Sequence, residues 1–236
     1  MEIEERKPAA ELAARRKPTF PGETRDYAEA REQLMQAEIE ARRVLTDLAE
    51  QRRRLPAGPV VAKDYRFLDA DGAELGLLDL FGDKDTLITY FWMYGPQRER
   101  PCPMCTDTLS GLNSVAIHVA QRATLRILGR SPVSRQLEFA RERGWQDLVF
   151  LQTVGDAYAA DTFALSPEGD EYPSFVVYRR DGDQVRVFYA AEMPKEAADP
   201  GQDPRGPTDL SPLWNVLDHT PAGRGTDWYP KLSYDS

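Results

Sequence analysis

The chain has 236 residues, 41% hydrophobic, 29% charged and 10% aromatic, enough for one sizeable core with appendages or two small domains. Its 30 basic and 39 acidic side chains leave a net charge of −9, which argues against nucleic acid as a partner because displacing counterions needs a basic face. No apolar run approaches the ~20 residues of a membrane span, and the opening MEIEERKPAA has no apolar stretch behind its charges, so a soluble cytoplasmic protein without a membrane partner is expected.

Residues 1–58 carry equal numbers of acidic and basic side chains, so residues 59–236 hold the whole of the −9. Residues 1–23, with Pro8, Pro18, Pro21 and a mixed charge cluster, read as a flexible N-terminal arm. Residues 24–58 read as a long amphipathic helix. From Thr24 to Leu55 there is no Gly or Pro, and Ala, Glu, Gln, Arg and Leu dominate. Thr24 supplies an N-cap, and Pro56 with Gly58 stops the helix. Tyr27, Leu34, Ala37, Ala41, Val44, Leu45, Leu48 and Leu55 form one stripe at 3- and 4-residue steps. That stripe fits a homodimeric coiled coil through residues 24–55, and equally a helix packed on its own domain or a neighbour's.

Residues 59–220 read as the main domain. Tyr65, Phe67 and Leu68 before Asp71-Gly72 predict a short hairpin, and Leu75 to Phe81 an apolar turn. Thr86–Trp92 is rich in β-branched and aromatic residues and predicts a strand buried on both faces. A loop from Tyr94 to Pro101 leads to a helix over about Cys102–Gln121. Then follow a strand at Thr124–Leu128, a helix at Val133–Arg143, a strand at Leu148–Leu151 and a short helical stretch around Asp156–Phe163. Strands at Ser174–Tyr178 and Val185–Ala190 turn at Asp181-Gly182-Asp183. An irregular segment from Pro194 to Pro207 precedes a closing helix at Thr208–Leu217, and residues 221–236 read as an irregular tail. The order β-α-β-α-β, then β-β-α, predicts an α/β fold: a thioredoxin-like mixed sheet flanked by helices, with an N-terminal helical extension.

The only two cysteines lie together as Cys102-Pro103-Met104-Cys105, at a strand-to-helix junction. This spacing points to thiol redox chemistry or metal binding rather than a structural crosslink. Free backbone N–H groups and the positive end of the helix favour a thiolate at Cys102, the attacking species in disulfide exchange. Cys105, one turn deeper, can resolve a mixed disulfide, and Pro103 suits the first helical turn. Arg98 and Arg100 are positioned to lower the thiol pKa, opposed by Glu99. Pro173 in Glu171-Tyr172-Pro173-Ser174 stands at the start of the strand that, in a thioredoxin-like sheet, faces the cysteine pair. Pro173, Tyr172, Trp92, Pro103 and Met104 are therefore the expected groove-forming, substrate-binding residues.

The stretch Phe91-Trp92-Met93-Tyr94-Gly95-Pro96, followed by Pro101-Cys102-Pro103-Met104-Cys105, resembles the bacterial thioredoxin-like family known as domain of unknown function 899. Arg52-Arg53-Arg54-Leu55-Pro56, Val61-Ala62-Lys63-Asp64-Tyr65-Arg66-Phe67, Gly129-Arg130-Ser131-Pro132 and Arg143-Gly144-Trp145 fit as well. So does the ending Leu217-Asp218-His219-Thr220-Pro221-Ala222-Gly223-Arg224-Gly225. The likeness spans most of residues 25–232 and implies a thioredoxin-like fold with a dithiol redox role. It leaves the substrate unassigned. Thioredoxin itself has Trp before its first cysteine, where this chain has Pro101. Tyr90 falls nearest the position of thioredoxin's buried aspartate, so Cys105 lacks an obvious acid/base group.

Three other readings compete. Zinc requires four ligands, and neither His118, with Gln121, Arg122 and Ala123 after it, nor the distant His219 completes a set. Peroxiredoxins place Thr or Ser three residues before their nucleophile, where this chain has Glu99 before Cys102. A redox-sensing or partner-binding module without catalysis would use the same thiols. No phosphate loop, Rossmann glycine pattern or G-x-S-x-G elbow is present, so neither a cofactor nor a metal is expected. The reading that follows is a dithiol oxidoreductase whose partner is a protein or small-molecule thiol or disulfide, with Cys102 attacking and Cys105 resolving.

Overall fold

A computed structural model describes residues 6–15, 20–191, 210–225 and 228–234. The chain divides into two compact units, Met1–Pro56 and Ala57–Ser236. Among the described residues no helix is long and apolar enough to cross a membrane.

The first unit is a pair of helices, α1 (Ala9–Ala13) and α2 (Arg25–Arg53). The α1 helix lies inside residues 1–23, the stretch read from the sequence as a flexible arm. Its Ala13 is buried, as is Ile39 of α2, and the Arg43 guanidinium donates to the Lys7 carbonyl oxygen. The Thr24 hydroxyl caps α2 by accepting from the Tyr27 N–H at 3.3 Å. The apolar stripe read from the sequence is exposed along its whole length, from Tyr27 to Leu55.

The second unit is built on a seven-stranded mixed sheet in the order β2-β1-β5-β4-β3-β6-β7. The strands are β1 (Arg66–Leu68), β2 (Glu74–Gly76), β3 (Thr86–Phe91), β4 (Thr124–Gly129), β5 (Phe150–Thr153), β6 (Ser174–Asp181) and β7 (Gln184–Ala190). The helices are α3 (Pro103–Val119), α4 (Val133–Arg143), α5 (Ala157–Asp161) and α6 (Pro212–Asp218). β3, β4 and β5 run parallel through the crossovers α3 and α4, while β6 lies antiparallel on the other side of β3. The unit β3-α3-β4 followed by β6-β7-α6 is the thioredoxin-like arrangement the element order predicts.

Both faces of the sheet are covered, so the central strands alternate between two cores. Leu87 and Phe91 pack with Phe67, Leu128, Leu151 and Tyr158 on one face. Tyr90 and Trp92 pack with Cys105, Leu109, Ile127, Phe139 and Phe150 on the other. Thr89, the polar residue on the first face, is satisfied by the Tyr158 hydroxyl at 2.9 Å and donates to the Val176 carbonyl oxygen.

Several boundaries differ from expectation. β5 begins at Phe150 rather than Leu148 and runs to Thr153, because β1 pairs antiparallel beside it through Phe67–Thr153 and Leu68–Gln152. The turn of the hairpin tightens to two residues, so β6 reaches Asp181. α6 begins at Pro212, where Ser211 accepts from the Leu213 N–H. The predicted start at Thr208 and the irregular segment from Pro194 lie outside the described residues.

Candidate functional site

β3 lies between β4 and β6, and all three bring their site-facing ends to one edge of the sheet. Phe91 pairs with Leu128 of β4 and with Ser174 of β6. The following loop is drawn back on itself, because the Cys102 N–H donates to the Met93 carbonyl oxygen at 3.1 Å. Cys102 thus becomes the N-cap of α3, with extended backbone (φ −60°, ψ 128°) and Pro103 as first helical residue. The Thr106 hydroxyl donates to the Cys102 carbonyl oxygen, not to its sulfur.

Both cysteines are free thiols, Cys102 partly exposed and Cys105 buried. The two differ strongly in acidity. The Cys102 thiol is lowered to about 6: hydrogen bonding from Cys105 dominates, burial opposes it, and the N–H groups of Cys105 and Met104 and the charge of Arg98 add to the lowering. The Cys105 thiol is pushed well up, first by its bond to Cys102, then by burial and the Cys102 charge. At neutral pH the pair therefore holds one accessible thiolate and one buried thiol sharing the remaining proton.

Tyr90, on β3, is buried in the same cluster as Cys105, and its hydroxyl helps to lower the Cys105 pKa. Burial, then the Cys105 charge, raises the Tyr90 pKa well above that of an ordinary phenol. A phenol so held stays protonated and serves as a hydrogen-bond donor. The sequence placed Tyr90 opposite a missing aspartate but gave no sign that its hydroxyl reaches Cys105.

Glu171 is the second residue whose role was not legible. Its side chain is 6% exposed. Its carboxylate accepts from the Gly95 N–H at 3.0 Å, Arg98 Nε at 3.0 Å and Arg130 Nη1 at 3.3 Å. Arg130 also donates to Asp156 at 2.9 Å. From the other side, Arg135 donates to the Arg98 and Glu99 carbonyl oxygens and lies over the Tyr94 ring. The loop carrying Arg98 to Cys102 is thereby braced by two arginines and a buried carboxylate.

The remaining predicted site residues separate. Pro103 and Met104 form the first turn of α3 and are partly buried. Pro173 stands immediately before Ser174, on the edge where the cysteine loop leaves β3, and Tyr172 beside it is exposed. Arg98 acts on Cys102, whereas Arg100 donates to Glu142 at 2.7 Å and lies over the Phe139 ring. Trp92 corrects the expectation of a groove-lining residue. It is completely buried among Tyr94, Phe139, Trp145 and Phe150, and its indole N–H donates to Gln136 Oε1 at 3.1 Å. Rings from the loop after β3, from α4 and the turn that follows it, and from β5 enclose it, so a large aromatic at that position belongs to the core. His118 is exposed, and among the described residues no three His, Cys, Asp or Glu side chains gather to hold a metal.

Residues 17–235 match a family described as bacterial protein of unknown function (DUF899). No curated protein matches the chain. Solved structures similar to it include the exposed lipoprotein thioredoxin of Streptococcus pneumoniae strain TIGR4, at 16% identity over 57% of this chain and 94% of that one, TM-score 0.40. The reduced 2-Cys peroxiredoxin of Plasmodium vivax shares 15% identity over 57% and 81%, TM-score 0.41. The peroxidoxin BcpB of Mycobacterium tuberculosis shares 22% over 58% and 85%, TM-score 0.43.

Proposed function

We propose that this chain, which belongs to the DUF899 family of bacterial proteins, is a thiol–disulfide oxidoreductase acting through Cys102 and Cys105. The observation that carries the reading is the asymmetry of the pair. A partly exposed thiol lowered to about 6 stands at a helix N-terminus, directly above a buried thiol that keeps its proton.

The Cys102 thiolate attacks one sulfur of a protein or small-molecule disulfide. A Cys102–substrate disulfide forms, the substrate S–S bond breaks, and the leaving thiolate takes a proton from solvent. Capping Cys102 removes its hydrogen bond and its charge, two of the three influences that raise the Cys105 pKa, burial being the other. Cys105 then holds its proton less strongly. It loses its proton to the departing substrate sulfur and attacks Cys102 Sγ, with the Tyr90 hydroxyl donating to the developing thiolate. Two electrons pass to the substrate, leaving two substrate thiols and a Cys102–Cys105 disulfide. An external dithiol returns the pair to its reduced form, and the same steps reversed would oxidise a substrate dithiol. Tyr172 and Pro173, on the same sheet edge, provide the surface against which the substrate disulfide lies.

The test is equilibration of metal-free protein in dithiol buffers of graded potential, with thiols counted by mass. A reversible two-electron transition between about −270 and −120 mV supports the reading. Failure to form a Cys102–Cys105 disulfide at any potential overturns it.

A further inference from the structure

Within the first unit, one long apolar surface is left uncovered: the stripe of α2. Tyr27, Leu34, Ala41, Leu48 and Leu55 recur every seven residues, and Ala30, Ala37, Val44 and Gln51 recur at the intervening three-residue step. Within α2, from Tyr27 to Gln51, this is an a/d heptad pattern sustained over three and a half heptads, about 37 Å of helix at ~1.5 Å per residue. Its large side chains, Tyr27, Leu34, Val44 and Leu48, with the flanking Leu45, are between 38% and 65% exposed. A helix in water does not keep such a seam open without cost.

The other side of α2 is already used. Ile39 is buried there, Arg43 holds the Lys7 carbonyl oxygen, and Asp47 takes Arg6. In heptad terms these residues occupy positions f, c and g, so α1 covers the back of the helix and leaves a and d free. A seam of strict seven-residue period is complementary to another helix of the same period, and this chain supplies one in every second copy.

We propose that α2 pairs with α2 of a second copy of this chain as a parallel, in-register coiled coil. The flanking charges select the orientation. In parallel register each g residue faces the following e residue of the other helix. Asp26 then meets the partner's Arg31, while Gln33 faces the partner's Glu38 and Glu40 the partner's Leu45. No like charges meet. An antiparallel pair with each a facing a d would instead set Glu38 against the partner's Glu38 and Glu40 against the partner's Glu40, four carboxylates at the middle of the seam. Like charges so placed are destabilising.

Sedimentation equilibrium of the full chain near 100 µM tests the pairing. The expected mass is twice the 26.7 kDa of one chain, falling to a single chain in Leu34→Glu/Leu48→Glu. A single-chain mass for the unaltered protein overturns the proposal, as does a dimer that survives those two substitutions. Because the substituted side chains are exposed in the single chain, unchanged near-UV circular dichroism of the variant shows that the sheet domain remains folded. Orientation is read in a Cys102→Ser/Cys105→Ser background carrying Leu34→Cys. Parallel pairing gives a disulfide between two copies of position 34. A crosslink that forms only when Leu34→Cys chains are mixed with Val44→Cys chains means an antiparallel pair and overturns the stated register.

Discussion

The Glu171 carboxylate sits so close to the backbone of Gly95 that a β-carbon there would stand 2.1 Å from Oε1. Gly95 is required by this approach, because the Glu171 side chain must reach its N–H as well as Arg98 and Arg130. Gly95→Ala is expected to push the carboxylate off both arginines and destabilise the protein by about 1–3 kcal/mol, the usual range for overpacking. Urea unfolding of the two proteins measures this. An unchanged midpoint would mean that Glu171 does not brace the loop.

Cys105 is the largest influence lowering the Cys102 pKa and Arg98 is the smallest named. The pH dependence of alkylation at Cys102 should therefore have its midpoint near 6 in the native protein. It should shift upward more in Cys105→Ala than in Arg98→Met. The reverse order would place the stabilising charge outside the pair.

Stability of the reduced protein should follow the same asymmetry. The folded Cys102 pKa, about 6, lies below its ordinary value of 9.0. The unfolded chain therefore holds more protons at this site between those limits, and stability rises with pH by at most about 1.4 kcal/mol per unit. The Cys102 contribution is complete above 9.0 and lost as pH falls through about 6. Cys105 acts in the opposite sense, since its folded pKa is raised from 9.0, and stability falls again above that value. Urea titrations from pH 5 to 10 should show the rise and fall, and Cys102→Ser should lose the rise.

Tyr90→Phe removes the hydroxyl beside Cys105 and leaves the ring in the core. A hydrogen bond to a charged group contributes about 1.5–3 kcal/mol, so resolution of the mixed disulfide should slow by roughly tenfold or more. Rapid quenching and mass measurement would detect the accumulated Cys102 adduct. Equal rates in the two proteins would remove Tyr90 from the second step.

Trp92→Phe tests the assignment of that ring to the core. The change leaves Gln136 Oε1 without its donor and opens space among four aromatic rings. A loss of about 2–4 kcal/mol in stability is expected, with exchange toward a small disulfide unchanged. A selective loss of exchange would return Trp92 to the groove.

The parts whose causes lie within a few residues were legible along the chain. The strand at Thr86, the helix at Val133–Arg143, the Thr24 cap and the Pro103 start of α3 follow from side-chain shape, periodicity and hydrogen-bond supply along the chain. So does the placement of two cysteines one helical turn apart at a helix N-terminus. What surrounds them depends on contacts between distant segments. Glu171 meets Gly95 and Arg98 across 76 and 73 residues of sequence, and β1 reaches β5 only after the sheet has closed. Trp92 and Tyr90 alternate onto one face with the same chemistry in the sequence, yet one meets Gln136 and the other Cys105. Burial and the pairing of distant charges arise from which strands become neighbours, and local pattern does not contain that information.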